Sequence, residues 1–259
     1  MNLKSTRLFL FDLDGVLSVG KENPRYLGGR EVLSRLRETG RRALVLTNTS
    51  TQRREDIRRN LAGLGLNFSV DEILTSSYLT GKYLSGRFGR ATFYLVGEEG
   101  LKLELEAAGH KASNQPQVVV VALDRRLSYE KLDQATRYLR AGAMLVGSYG
   151  GAMYMSASGP ALSAGPIVKA LEYAGGKRAV IIGKPSPRMF QFALRLRDEE
   201  PRRAVMVGDQ IETDLVGARK AGVRTILVLT GVETKESISQ SRFKPDAVID
   251  NVDALCGML

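Results

Sequence analysis

Apolar residues in this chain gather in short blocks of two kinds. Some blocks are nearly unbroken, at residues 7–11, 43–46, 118–123, 179–182, 204–207 and 225–229. Four to six apolar residues without alternation predict a strand covered on both faces, as in a parallel sheet. Thr92–Val96 and residues 143–147 read as two further strands. Other blocks are spaced like one face of a helix, as Val32, Leu33 and Leu36 are within Arg30–Glu38, which Gly40 closes. Helices are also expected up to Leu61, with Gly63 and Gly65 as stop signals, and over 98–108, 129–139, 167–173 and 215–221. The Gly- and Pro-bearing stretch to Gly29 and the Gly/Ser/Ala-rich stretch 148–165 read as loops. Strand and helix alternate, which predicts an α/β fold with a doubly wound parallel sheet, and the middle of the chain repeats the plan on a smaller scale.

Composition narrows the setting. The 259 residues are 43% apolar, enough for a core in one large domain or two ordinary ones. Cys256 is the only cysteine and His110 the only histidine, which removes disulfides, zinc clusters and His-based metal sites. His110 follows Gly109 at a helix exit and is expected to be exposed and without function, and Cys256 to be partly buried. No apolar run approaches the ~18 residues of a membrane helix. The first block ends in Asp12, unlike a signal peptide. A soluble, reducing, cytoplasmic setting follows as the expectation. The net charge of +10 raises nucleic acid, membrane surfaces and small anions as partners.

The chemistry sits at the ends of the buried strands. There the chain places Asp12 and Asp14, then Thr47 and Asn48, then Lys184, then Asp209 with Asp214 close behind. Ligands of open α/β sheets bind beyond the carboxyl ends of the strands. Carboxylates that meet in one crevice repel unless a cation sits between them, and oxygen-only ligands suit Mg²⁺. One carboxylate can attack phosphorus while a second protonates the leaving oxygen. A lysine and Mg²⁺ neutralise the transferring phosphoryl group. The Thr47–Ser50 turn is expected to lead into a helix whose backbone N–H groups hold phosphate oxygens. Thr213 or Asp214 is a candidate cap for the helix over 215–221.

Four segments in order, Asp12-Leu13-Asp14-Gly15-Val16, Thr47-Asn48, Gly183-Lys184-Pro185 and Gly208-Asp209-Gln210-Ile211-Glu212-Thr213-Asp214, resemble the motifs of the haloacid dehalogenase (HAD) superfamily phosphatases. The closer likeness is to the NagD-like, para-nitrophenylphosphatase and phosphoglycolate phosphatase subgroup. Thr75-Ser76-Ser77, residues 120–125, Leu229-Thr230-Gly231-Val232 and Lys244-Pro245-Asp246 support it. The resemblance implies a Rossmann-like catalytic core at 1–77 and 179–259, with a smaller α/β cap domain inserted at 78–178. It implies Mg²⁺-dependent hydrolysis of small phosphate monoesters (sugar phosphate, glycerol phosphate, phosphoglycolate or aryl phosphate) through an aspartyl-phosphate on Asp12.

By the same resemblance Asp14 is the general acid/base. Gly15, Thr47, Asn48 and Lys184 hold phosphate. Asp12, the backbone carbonyl of Asp14, and Asp209 are metal ligands, with Asp214 orienting the metal shell. The subgroup often carries Asn-x-Asp in a cap loop where this chain has Gly147-Ser148-Tyr149-Gly150-Gly151. Tyr149, Met153 and Tyr154 there offer a more apolar surface, suited to an aromatic or aliphatic leaving group. Rival readings are a phosphotransferase or mutase on the same core, and a non-catalytic phosphate-binding regulatory protein. The excess charge divides evenly, +5 in each expected domain, so a small phosphorylated metabolite is the expected partner, without nucleic acid or membrane. Relatives also associate through their caps, which raises a homo-oligomer.

Overall fold

The computed structural model describes residues 1–20, 23–156 and 159–259. It divides into two compact units, one of Met1–Thr47, Arg54–Leu74 and Pro187–Leu259, the other of Asn48–Arg53 and Thr75–Ser186. Among the described residues, no helix is long and apolar enough to cross a membrane.

The first unit is built on a six-stranded sheet. Its strands run in the order Ala247–Ile249, Arg224–Val228, Ala204–Gly208, Leu8–Phe11, Arg42–Thr47 and Ile73–Thr75. The chain starts in Leu8–Phe11, adds two strands on one side, and later adds three on the other. Leu8–Phe11 pairs in parallel with both Arg42–Thr47 and Ala204–Gly208, and Arg224–Val228 is parallel to its neighbours on either side. All four residues of Leu8–Phe11 and all five of Ala204–Gly208 are buried, which is why neither alternates. Phe9, Phe11, Val45, Val205 and Val207 pack there with Val32, Leu33 and Leu36 of the helix Arg30–Glu38. The stretch before Gly29, outside residues 21 and 22, contains a short antiparallel pair, Ser18–Val19 with Arg25–Tyr26.

The second unit carries a five-stranded parallel sheet in the order Val180–Ile181, Met144–Gly147, Val118–Val121, Thr92–Val96 and Lys111–Ala112. Val119, Val121 and Leu145 pack with Leu139 and Leu171 of the helices Tyr129–Arg140 and Ala164–Gly175. Two features depart from the sequence reading. The expected loop over 148–165, residues 157 and 158 being outside the described set, holds an antiparallel hairpin of Met153–Ser156 with Gly159–Leu162. A thirteen-residue helix, Ser76–Phe88, was not foreseen. Small residues make up most of its buried face: Ser76, Ser77, Thr80 and Gly81 are buried beside Leu79 and Leu84, and a Cβ at Gly81 would lie 3.0 Å from that of Ala108. Periodicity does not register such a face.

His110 also departs from expectation. It is 3% exposed. Its Nδ1 accepts from the Ala91 N–H at 3.1 Å, so the ring proton sits on Nε2, which donates to the Gly81 carbonyl at 2.9 Å. The imidazole thus satisfies the Ala91 N–H and shares the Gly81 carbonyl with the Ser85 hydroxyl, which donates to it at 3.0 Å. His110→Leu leaves the buried Ala91 N–H without its acceptor and is expected to lower the unfolding free energy by about 1–3 kcal/mol in a urea titration. An unchanged urea midpoint would show the ring to be idle.

Candidate active site

In the first unit the direction of strand addition reverses between Leu8–Phe11 and Ala204–Gly208, and ligand crevices of open sheets form at such a point. Parallel register pairs Phe11 with Val207, and the Asp12 N–H extends the ladder to the Val207 carbonyl at 2.9 Å. Asp12 and Asp209 therefore leave two adjacent strands at the same end. Carboxylate oxygens of Asp12, Asp209 and Asp214 all lie within 4.8 Å of one another, and the three residues are 7%, 1% and 0% exposed.

Asp214 reaches this group by an unusual local path. Residues Ile211–Leu215 form a π-helical turn ahead of the short helix Val216–Lys220, and π turns recur at functional sites. Asp214 Oδ2 accepts from the N–H groups of Asp209 and Gln210, both at 3.2 Å. Asp214 is thus folded back on the strand end and does not cap the helix, which has no side-chain cap at all. A side chain at Gly208 would not fit, because its Cβ would sit 2.5 Å from that of Asp214.

Three buried carboxylates at this spacing are mutually repulsive in a medium less polarisable than water. The donors are all hard oxygens, the set that a small divalent cation such as Mg²⁺ takes. The backbone keeps space beside them: a Cβ at Gly15 would fall 2.4 Å from Asp209 Oδ2, and one at Gly231 would fall 1.9 Å from it. The donor set and this cradle fit a cation.

The Asp14 carboxylate stands outside the triad and is half-buried. Gly15 has φ +83°, open to glycine at no steric penalty. Its N–H donates to the Ser18 carbonyl at 2.8 Å, so it supplies turn geometry where a phosphate contact was expected. Thr47 is 2% exposed at the end of its strand. The expected helix does not begin at Thr47–Ser50. It starts at Arg54, so the cradle expected of a helix N-terminus is absent at those residues.

In the second unit, Asn48 and Lys184 are brought together. Asn48 Oδ1 accepts from the Lys184 N–H at 2.9 Å, and Asn48 Nδ2 donates to the Lys184 carbonyl at 3.0 Å. The Asn48 amide, read from the sequence as phosphate-binding, is engaged with the Lys184 main chain. Lys184 itself is 2% exposed. Ser76 Oγ donates to the Asn48 carbonyl at 3.0 Å and accepts from Ser148 Oγ at 2.9 Å. Gly183 lies where a Cβ would be 2.5 Å from Asn48 Oδ1. Ser76, Ser148 and Gly183 were given no role from the sequence. The buried hydroxyls at the start of the helix Ser76–Phe88 and at the end of Met144–Gly147 were the available signal.

Of the three residues expected to offer an apolar surface, Tyr149 is buried and its hydroxyl accepts from Ser163 Oγ at 2.6 Å. Burial holds its phenol above the ordinary value. Met153 is 67% exposed and Tyr154 half-buried, so the accessible surface comes from those two.

A family model for haloacid dehalogenase-like hydrolases matches residues 9–111, and a HAD-hydrolase-like model matches 181–255. An acid sugar phosphatase of Staphylococcus saprophyticus is 32% identical over 245 residues, 94% of each chain. The crystal structure of a 4-nitrophenylphosphatase from Thermotoga maritima superposes with a TM-score of 0.92 at 33% identity over 98% of both chains. NagD from E. coli K-12 gives 0.85 at 27% identity, covering 95% of this chain and 97% of its own. The chain belongs to the haloacid dehalogenase-like hydrolases, in their NagD-like phosphatase branch.

Proposed function

We propose that this protein hydrolyses small phosphate monoesters, of sugar-phosphate or aryl-phosphate type, with Asp12 as nucleophile and Mg²⁺ as cofactor. The observation that carries the reading is the convergence of three buried carboxylates at the reversal point of the sheet. The named activities of a sugar phosphatase and a 4-nitrophenylphosphatase among its relatives support the substrate class.

The chemistry needs two displacements at phosphorus. A carboxylate oxygen of Asp12 attacks, the bond from phosphorus to the ester oxygen breaks, and the Asp14 carboxyl gives its proton to the departing alkoxide, releasing the alcohol. Asp14, now ionised, takes a proton from water, whose oxygen attacks the phosphorus. The bond to Asp12 breaks, and inorganic phosphate leaves with both carboxyl groups restored. Asp12, Asp209 and the Asp14 carbonyl would hold Mg²⁺, with Asp214 orienting its surroundings. When bound, the ion neutralises charge on the phosphoryl oxygens. Thr47, the Asn48 main chain and Lys184 are assigned to the phosphoryl group. Residues 78–178 take the part of the subgroup's cap, selecting the leaving group.

Phosphate release from para-nitrophenyl phosphate, with and without Mg²⁺, tests the reading. Turnover that requires Mg²⁺ and is abolished by chelation is expected. No release at any Mg²⁺ concentration would overturn it in favour of a binding protein, and phosphoryl transfer to an added sugar in place of water would favour a mutase.

A further inference from the structure

One segment of the first unit touches the acidic cluster from outside the four motifs. Residues Thr230–Glu233 follow the strand Arg224–Val228 and precede the helix Lys235–Gln240. Four hydrogen bonds tie this segment to the catalytic turns. Thr230 Oγ1 donates to the Gly15 carbonyl at 2.6 Å. The Val232 N–H donates to Asp209 Oδ2 at 3.0 Å. The Glu233 N–H donates to the Asp209 carbonyl at 3.3 Å, and Glu233 Oε1 accepts from the Ile211 N–H at 3.1 Å. Gly231 lies between the first two contacts, where any Cβ would collide with Asp209.

We infer that Thr230–Glu233 is a positioning loop for the metal ligands: it sets the rotation of the Asp209 carboxylate and fastens it to the Asp12–Gly15 turn. The reasoning is geometric. A carboxylate has two oxygens, and a backbone donor on Oδ2 fixes the plane of the group and the direction in which it faces the cation. Asp209 follows a strand end, where its N–H donates to Asp214 Oδ2 and its carbonyl accepts from the Glu233 N–H of the loop. The Thr230 hydroxyl then joins this assembly to the carbonyl of Gly15, one residue after the carbonyl of Asp14 that is proposed as a ligand. Glu233 is the obvious acidic residue to suspect as a further ligand. Its Oε1 is engaged with the Ile211 N–H and its Oε2 with Ser237 Oγ, so it braces the π turn that carries Asp214.

This inference rests on the metal reading above, and its test separates the two. Mg²⁺ binding is measured by titration calorimetry on the wild-type full chain, Thr230→Val, Thr230→Ser and Gly231→Ala, without substrate, beside the metal-free melting temperature of each. Thr230→Val keeps the side-chain shape and removes the donor. Its Mg²⁺ affinity is expected to fall about tenfold, as the loss of one good hydrogen bond implies. Thr230→Ser restores the hydroxyl and is expected to stay within about twofold of wild type. Gly231→Ala is expected to lose about a hundredfold or more, since Asp209 must turn away from the added methyl group. Should Gly231→Ala not fold, the Thr230 pair decides. Wild-type binding left intact by Thr230→Val overturns the loop's role alone. Absence of Mg²⁺ binding in the wild type overturns the metal reading, and the inference with it. Equal weakening in Thr230→Ser and Thr230→Val would show that the methyl contact, not the hydroxyl, matters, and would also reject it.

Discussion

Replacing Asp12 with Asn is expected to abolish turnover of para-nitrophenyl phosphate, lowering kcat by about 10⁴-fold or more. The change is nearly isosteric at a residue 7% exposed whose N–H continues the sheet ladder, so the fold has little reason to respond. It removes the nucleophilic oxygen charge and one of the three converging carboxylates. A second readout separates those two losses. Wild-type protein quenched in acid during turnover should carry one phosphoryl group on the peptide containing residue 12, found by mass spectrometry, and the variant should carry none. A phosphoryl group on another residue, or an Asp12→Asn variant with near wild-type kcat, would reject Asp12 as nucleophile.

Lys184→Met is expected to cost about 10²–10³-fold in kcat/KM, the range for removing one preorganised charge-stabilising donor. The structure makes this a clean comparison. Asn48 grips the N–H and the carbonyl of residue 184, both of which methionine also has, so the backbone stays clamped while the ammonium is lost. Asn48→Leu does the converse: it keeps the ammonium and releases the clamp. Both variants should bind inorganic vanadate more weakly than wild type. Full activity in Lys184→Met would remove the lysine from the phosphoryl-binding set.

The parts of this architecture that were legible in the sequence are those with an energetic signature in one short window. A strand buried on both faces must be apolar throughout, so Leu8–Phe11, Val118–Val121 and Ala204–Gly208 announce themselves. An acid directly after such a strand stands out for the same reason, which is how Asp12 and Asp209 were found. What stayed hidden depends on partners distant in sequence. Besides Leu79 and Leu84, the helix Ser76–Phe88 is buried through small and hydroxyl-bearing residues that look solvent-facing until Ala108 is placed against Gly81. His110 looked like a surface residue because its two partners, Gly81 and Ala91, are backbone groups with no identity in sequence. The resemblance assigns Asn48 to phosphate, yet its amide serves a residue 136 positions away. The pair Met153–Ser156 with Gly159–Leu162 escaped because the surrounding Gly, Ser and Ala carry little strand preference of their own.

The order of strands in the first sheet has a consequence for synthesis. Asp12 belongs to the first strand made, whereas Asp209 and Asp214 arrive only after the strand Ala204–Gly208 has been added beside it. The second sheet, by contrast, draws all its strands from one continuous stretch between Thr92 and Ile181. On the ribosome the middle of the chain can therefore fold while the first strand still waits for its central neighbour. A nascent or truncated chain ending before residue 204 has one member of the acid triad and no cation-binding set. If the triad takes a cation as proposed, cation binding is expected only once the last third of the chain has been made, and fragments released early are expected to lack it.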